Sequence, residues 1–204
     1  MAKQKKSKKK TDKNKALKKA TPVFDKYALY NKAVQSPEND VVFLRDTFKE
    51  LKGKSPKVFR EDFCGTFALS TEWIKLDPRH EAIGVDLDVE PMEYGKKNYL
   101  TQLTPNQQKR MSLINGNVLD PKLPKADLIA AMNFSYFCFK DRSTMKNYFS
   151  NAFKTLSKDG VFLLDIFGGS QCYGPIEDEI KHEGFTYYWD QTDFDPVTNE
   201  ALFH

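Results

Sequence analysis

KVFREDFCGTFALSTEWIK, residues 57–75, is the stretch that decides the fold. Val58 and Phe59 form a short apolar run, Gly65 permits a tight turn, and apolar residues then recur at helical spacing as far as Trp73. Strand, turn and helix in this order make the first half of a βαβ unit. The sequence therefore predicts a parallel sheet with a ligand site at the turn.

The charge of this turn narrows the kind of ligand. Glu61 and Asp62 precede the glycine, and carboxylates at a strand end repel a diphosphate but attract an ammonium group. The positive end of the following helix can still accept a ligand carboxylate. The combination favours an amino-acid-like ligand.

A second apolar strand follows in EAIGVDLD, residues 81–88. It ends at Asp86, about 21 residues after Gly65, where the ribose-binding acid of a nucleotide-binding fold is found. The ligand is therefore expected to carry a ribose as well.

These residues resemble class I S-adenosylmethionine-dependent methyltransferases. The first motif of that family runs acid, any, Gly, any, Gly, any, Gly, and here Glu61 matches the acid and Gly65 the middle glycine. Phe63 and Phe67 occupy the first and third glycine positions. Together with the later stretches NFSYF and DIFGG, the resemblance covers the chain from about Tyr27 to its C-terminus.

The resemblance implies S-adenosyl-L-methionine as cofactor and assigns residues to its parts. Glu61 would hold the methionine ammonium, Phe63 and Gly65 would line the turn, and Asp86 would accept the ribose hydroxyls. Asn117 and Val118 stand at the adenine-reading position, although Asn117 could equally be a turn residue beside Gly116.

Two further contacts follow from the resemblance. Asn133 opens the fourth motif after the apolar run 126–132, but Phe134 and Ser135 replace its two prolines, so an amine substrate is only weakly suggested. Tyr30, in a predicted N-terminal helical segment, could contact the sulfonium through its ring, or could belong to a packed aromatic face. Catalytic residues stay unassigned, and no metal ligands are expected.

The predicted fold is α/β: a doubly wound, mostly parallel Rossmann-like sheet of order 3-2-1-4-5, with helices on both faces and an antiparallel hairpin near the C-terminus. Helices are expected over 22–34, 41–51, 90–103 and 143–156, a third strand over 111–114 and a fifth over 161–166. Residues 185–194 and 201–203 form the hairpin. Because the family normally adds a helix and two strands, the chain is expected to be truncated at its C-terminus.

Charged side chains are distributed unevenly along the 204 residues. The first twenty carry ten Lys and one Asp, while the rest carries 22 basic and 27 acidic residues. We expect a disordered tail at 1–20, an N-terminal helical segment at 21–53 and one cofactor-binding domain at 54–204. The tail is interpreted as a solubilising segment, or as a weak contact with nucleic acid.

Composition limits the class of protein. Three widely spaced cysteines without a CxxC pair predict neither a disulfide framework nor a zinc site, and they favour a cytoplasmic protein. No stretch is long and apolar enough for a membrane span.

The leading hypothesis is a methyltransferase whose acceptor is unknown. The alternative is a non-catalytic scaffold of the same fold that binds RNA or protein through the tail. A nicotinamide-dependent oxidoreductase would also have an acid at the position of Asp86. That class needs more glycines in the turn, and a carboxylate such as Glu61 would repel its phosphates.

Overall fold

A parallel sheet organises the computed structural model, which describes residues 24–204. The lysine-rich segment 1–20 lies outside the described residues. The five strands have the order β3-β2-β1-β4-β5, as predicted. They are Val58–Asp62 (β1), Glu81–Asp86 (β2), Met111–Asn115 (β3), Ala126–Ala131 (β4) and Leu156–Leu164 (β5). The strand order reverses between β1 and β4, the point where doubly wound sheets bind ligands.

Helices cover both faces of this sheet. They are Lys26–Val34 (α1), Pro37–Lys52 (α2), Ala68–Leu76 (α3), Val89–Asn98 (α4), Pro105–Gln108 (α5) and Arg142–Thr155 (α6). Short 3-10 turns lie at Leu100–Gln102, Ser135–Cys138 and Ser170–Tyr173. Within residues 24–204, no helix combines the length and the apolar character that crossing a bilayer requires.

Local sequence signals set the helix ends. Asp88 caps α4 by accepting from the Glu90 N–H at 2.9 Å, and Asp141 caps α6 by accepting from the Thr144 N–H at 2.7 Å. Pro37 stands in the first turn of α2, and Gly53 ends that helix in the left-handed conformation at φ 66°.

Each face of the sheet has its own apolar core. On one face α2 and α3 pack on β1, β2 and β4, with Phe59 against Trp73 at 5.2 Å between ring centroids. On the other face Tyr148 of α6 is fully buried beside Val85 and Ala131. The sheet is thus buried on both sides, which explains its near-continuous apolar strands.

A buried ion pair links β1 to α6. Arg60 donates to Asp62 at 2.8 Å and to the Thr155 hydroxyl at 2.9 Å, and the Tyr148 hydroxyl donates to Asp62 at 3.0 Å. Both charges are therefore compensated, and Asp62 belongs to the core.

The C-terminal part differs from the prediction in two ways. Strand β5 begins at Leu156, not at residue 161, because main-chain pairing with β4 starts there and continues past a bulge. The predicted hairpin is present as Phe185–Asp195 (β7) and Glu200–Phe203 (β8), but a further strand, Ile176–His182 (β6), pairs with β7. These three strands form a separate antiparallel sheet, β6-β7-β8.

Candidate functional site

The loop between β1 and α3 is built from left-handed residues. Phe63, Gly65 and Phe67 have φ angles of 59°, 51° and 50°. Two of them are bulky, and a left-handed residue other than glycine costs roughly 1–2 kcal/mol. The backbone therefore takes a glycine-like course although phenylalanines replace the glycines of the motif.

Packing explains how the phenylalanines tolerate this geometry. Phe67 has no exposed surface, and a Cβ placed on Gly95 of α4 would come within 2.5 Å of its ring. The ring of Phe63 contacts Phe139 and Tyr148 at 5.8 and 5.7 Å between centroids. Full burial of such a side chain contributes about 1.5–3 kcal/mol, enough to offset the strain.

Asp86 ties this loop to the end of β2. One carboxylate oxygen accepts from the Gly65 N–H at 2.7 Å, and the other accepts from the Asp88 N–H at 2.8 Å. Asp86 thus fixes the conformation of the turn that is predicted to bind the cofactor.

Glu61 lies beneath the loop at the N-terminus of α3. Its Oε2 accepts from the N–H and the hydroxyl of Ser70 at 2.9 and 2.6 Å. The side chain is buried, and desolvation raises the pKa of Glu61 from 4.5 to about 7, despite the opposing effect of the Ser70 hydrogen bonds. The carboxyl therefore changes charge near neutral pH.

The end of β4 forms a second strained turn. Asn133 and Phe134 are consecutive left-handed residues, with φ angles of 56° and 55°. The Asp165 carboxylate, just after β5, accepts from both of their N–H groups at 2.6 and 2.9 Å. Asp165 therefore holds Asn133 in place, the structural role of a strand-end Asp.

A cavity of about 330 Å³, here called the first cavity, opens between these turns and α1. Small-molecule sites commonly measure roughly 300–1,000 Å³. It is lined by α1 and the residue after it, by the loop after β1, by α4 and by the turn after β4: Lys26, Tyr27, Tyr30, Gln35, Phe63, Cys64, Gly65, Thr66, Pro91, Asn133 and Ser135.

The first cavity brings together four of the eight predicted cofactor residues: Tyr30, Phe63, Gly65 and Asn133. Glu61 and Asp86 lie behind this wall, hydrogen-bonded to Ser70 and Gly65. Asn117 is exposed and accepts from the Leu119 N–H at 2.9 Å as a turn residue, whereas Val118 is buried in the core.

Helix α1 covers the first cavity through contacts with α4. Lys26 pairs with Glu90 at 2.6 Å, and the Tyr94 hydroxyl donates to Asp25 at 3.0 Å. No residue of α1 is fully buried. The helix is thus held mainly by surface contacts, which are individually weak.

Several lining residues were missed by sequence analysis. The side-chain oxygen of Gln35 is buried and has no hydrogen-bond partner within the described residues, so the cavity wall offers an unmet acceptor. Cys64 also lines the cavity, and burial raises the pKa of its thiol well above the usual range. Gln35 lies outside every motif, and Cys64 stands at a position of the first motif where any residue is allowed, so no sequence signal could have found them.

In the part of the chain that the structure describes, no group of three or more His, Cys, Asp or Glu side chains is placed to hold a metal ion. What the site offers is a tight turn held by Asp86, with acidic side chains at the turn and aromatic rings in the cavity wall.

Comparisons with known proteins support this description of the fold. No protein-family model and no curated protein matches the chain. Among solved structures, an S-adenosylmethionine-dependent methyltransferase from Clostridium acetobutylicum is 22% identical with a TM-score of 0.60, over 83% of this chain and 68% of that one.

Two sugar-modifying enzymes are also similar in structure. An amino pentose methyltransferase from Micromonospora echinaspora, solved with S-adenosylmethionine bound, has a TM-score of 0.65 at 15% identity, over 86% of this chain and 72% of that one. A sugar N-methyltransferase from a Streptoalloteichus species has a TM-score of 0.60 at 15% identity, over 94% and 71%. The chain therefore has the fold of class I S-adenosylmethionine-dependent methyltransferases.

Proposed function

We propose that the protein is a methyltransferase that binds S-adenosylmethionine in the first cavity. The observation that carries this proposal is the loop after β1, where Phe63, Gly65 and Phe67 keep left-handed geometry and Asp86 binds the Gly65 N–H. Strained non-glycine residues persist where the surrounding structure enforces them, and they cluster at functional sites. Related folds solved with S-adenosylmethionine support the choice of cofactor.

The residues present fit the methionine part of the cofactor. Glu61 would act on the ammonium through its charge, directly or through a water, because it lies just behind the loop. The unmet oxygen of Gln35 would accept a hydrogen bond from the same group or from a hydroxyl. Tyr30 would place its ring near the sulfonium, which aromatic faces attract.

Asp86 fits the ribose. Each of its carboxylate oxygens already accepts one backbone N–H, and each can accept a second bond from a hydroxyl. Asn117 and Val118 follow β3 at the same edge of the sheet. Because the Val118 side chain is buried in the core, we propose that the adenine meets this segment through its main chain.

The bound cofactor would supply a methyl group already activated on a positively charged sulfur. The protein then has to bring an acceptor into line with that methyl group and exclude water, without a dedicated catalytic triad. We propose that Asn133, which Asp165 holds at the cavity edge, orients the acceptor.

Calorimetry with S-adenosylmethionine, S-adenosylhomocysteine and NAD tests the proposal. We expect the first two to bind and NAD not to bind, since Glu61 disfavours a nearby phosphate. Asp86→Ala should weaken cofactor binding by about 1–3 kcal/mol, the usual effect of losing a charged hydrogen-bond partner. Asp178→Ala, an exposed change on β6, is the matched control.

NAD binding as tight as that of S-adenosylmethionine would contradict the proposal. Unchanged cofactor affinity in a folded Asp86→Ala protein would remove Asp86 from the site. Absence of any cofactor binding would favour the alternative, a non-catalytic scaffold.

A further inference from the structure

A second cavity lies beside the first, between the turn after β4 and the strands β7 and β8. It measures about 540 Å³. Its wall is mainly apolar and aromatic, formed by Phe137, Phe139, Met145, Phe167, Phe194 and Phe203. Such a wall favours hydrocarbon or aromatic groups. It offers few hydrogen-bond partners for sugars or phosphates.

The two cavities share their dividing wall. Ser135 lines the first cavity, while Phe137 and Cys138 of the same 3-10 turn line the second. Phe63, which lines the first cavity, contacts Phe139, which lines the second, at 5.8 Å between ring centroids. The two cavities therefore adjoin, and they meet at the Phe63–Phe139 contact.

The second cavity has a wall without net charge and lies against an acidic sheet. Lys140 and Glu200 are the charged residues of the wall, and they pair with each other at 3.6 Å. The sheet that closes the cavity, residues 176–203, carries eight Asp or Glu residues and one Lys. Its field attracts cations and repels anions, including nucleic acids.

We infer that the second cavity binds the methyl acceptor and that this acceptor is a small apolar amine. The inference rests on the proposed function. The apolar wall would hold the hydrocarbon part, the acidic sheet would draw in the ammonium, and the aromatic rings would tolerate its charge. The amine nitrogen would extend past Phe139 and Phe63 into the first cavity, because transfer needs it within roughly 3–3.5 Å of the methyl carbon.

The ammonium first gives one proton to water, which leaves a lone pair on nitrogen. That lone pair forms the new bond to the methyl carbon, the bond from this carbon to sulfur breaks with its electrons on sulfur, and the product is a methylated ammonium beside an uncharged thioether.

Three probes of similar shape and different charge test the inference: 2-phenylethylamine, 2-phenylethanol and 3-phenylpropionate. Trp189 reports their binding by fluorescence, because its ring contacts two wall residues, Phe203 at 5.1 Å and Phe167 at 5.8 Å between centroids. We expect saturable binding of the amine, about tenfold tighter than that of the carboxylate at low salt, with the alcohol between them. This preference should shrink as salt screens the acidic sheet.

Two variants locate the bound probe. Phe194→Ala removes part of the wall and Ala201→Phe fills the cavity, so each should weaken amine binding at least about fivefold, as expected for losing an apolar contact. They change different residues, so the test survives if one of them fails to fold. Phe153→Ala on α6, at a site that is 77% exposed, is the matched control and should change nothing.

Cofactor binding is measured by calorimetry on the same samples. Cofactor binding without saturable binding of any probe would overturn the inference, as would equal affinity for all three probes. Unchanged amine affinity in both cavity variants would also overturn it. Amine binding in a protein that does not bind S-adenosylmethionine would instead overturn the proposed function.

Discussion

Single residues set the chemistry of the first cavity, and Glu61 shows how. Its pKa is raised mainly because burial disfavours the charged form, with Asp86 and Asp62 adding smaller repulsions. A carboxyl that titrates near neutral pH can gain its charge when a cation arrives. Binding of the cofactor ammonium would then favour the ionised form of Glu61 and release part of a proton near pH 7.

The raised pKa of Glu61 makes stability depend on pH. Between about 4.5, its ordinary value, and about 7 the folded protein keeps a proton that the unfolded chain has lost. Folding stability therefore falls as pH rises through this window, by about 3 kcal/mol at about 1.4 kcal/mol per pKa unit. Glu61→Gln should remove this fall in thermal melts between pH 4.5 and 8.

Glu183→Gln, at an exposed site, is the control and should melt like the parent at every pH. A Glu61→Gln protein that keeps the full decline in melting temperature would show that another group carries it.

Sequence patterns indicated where site residues lie along the sheet, but not which residues they contact. Asp86 and Gly65 could be placed at strand ends from apolar runs alone, but the bond between them is a tertiary contact across 21 residues. No propensity rule places phenylalanine in the left-handed region, because that conformation is stable here only through burial against α4 and α6.

Among the elements, α4 and the loop after β1 fit together most closely. A Cβ on Gly95 would lie 2.2 Å from the Thr66 carbonyl oxygen as well as meeting the Phe67 ring. In most helices Gly→Ala stabilises the protein. Here the new methyl group would collide with the Thr66 carbonyl oxygen, a backbone atom that cannot rotate away. Gly95→Ala should therefore destabilise the protein by about 1–3 kcal/mol and lower its melting temperature by roughly 2–4 °C per kcal/mol.

Gly174→Ala is the matched control for this change. Gly174 has an extended backbone at φ −149° and open space where a Cβ would stand. Its effect should stay within about 0.5 kcal/mol. Equal melting temperatures for the two variants would show that the loop moves away from α4 at little cost.

Element prediction failed where apolar periodicity was weak. The sequence of β6, IEDEIKH, is mostly charged and gave no strand signal, because its stability comes from main-chain pairing with β7. The early start of β5 has the same cause. By contrast, β1, β2 and β4 are buried on both faces, and their apolar runs predicted them closely.

At the scale of the whole molecule, charge is divided between the N-terminal segment and the rest. Residues 1–20 carry a net charge of +9, and the remaining residues carry 22 basic against 27 acidic side chains. Deleting residues 1–19 should leave the melting temperature nearly unchanged and abolish salt-sensitive binding to single-stranded RNA, since the remainder repels polyanions. Filter binding at several salt concentrations measures this.

A protein with these lysines changed to glutamine at unchanged length is the control for the deletion. Binding of RNA with the same salt dependence after deletion would mean that the folded part has a basic face of its own.

The close approach at Gly95 also limits which substitutions this part of the chain accepts. Because the Thr66 carbonyl oxygen excludes a side chain at position 95, the obstacle remains whichever residue stands at position 67. The Phe67 ring uses the space that the missing side chain leaves open. A smaller residue at 67 would therefore leave an empty groove against α4 and would not make room for alanine at 95.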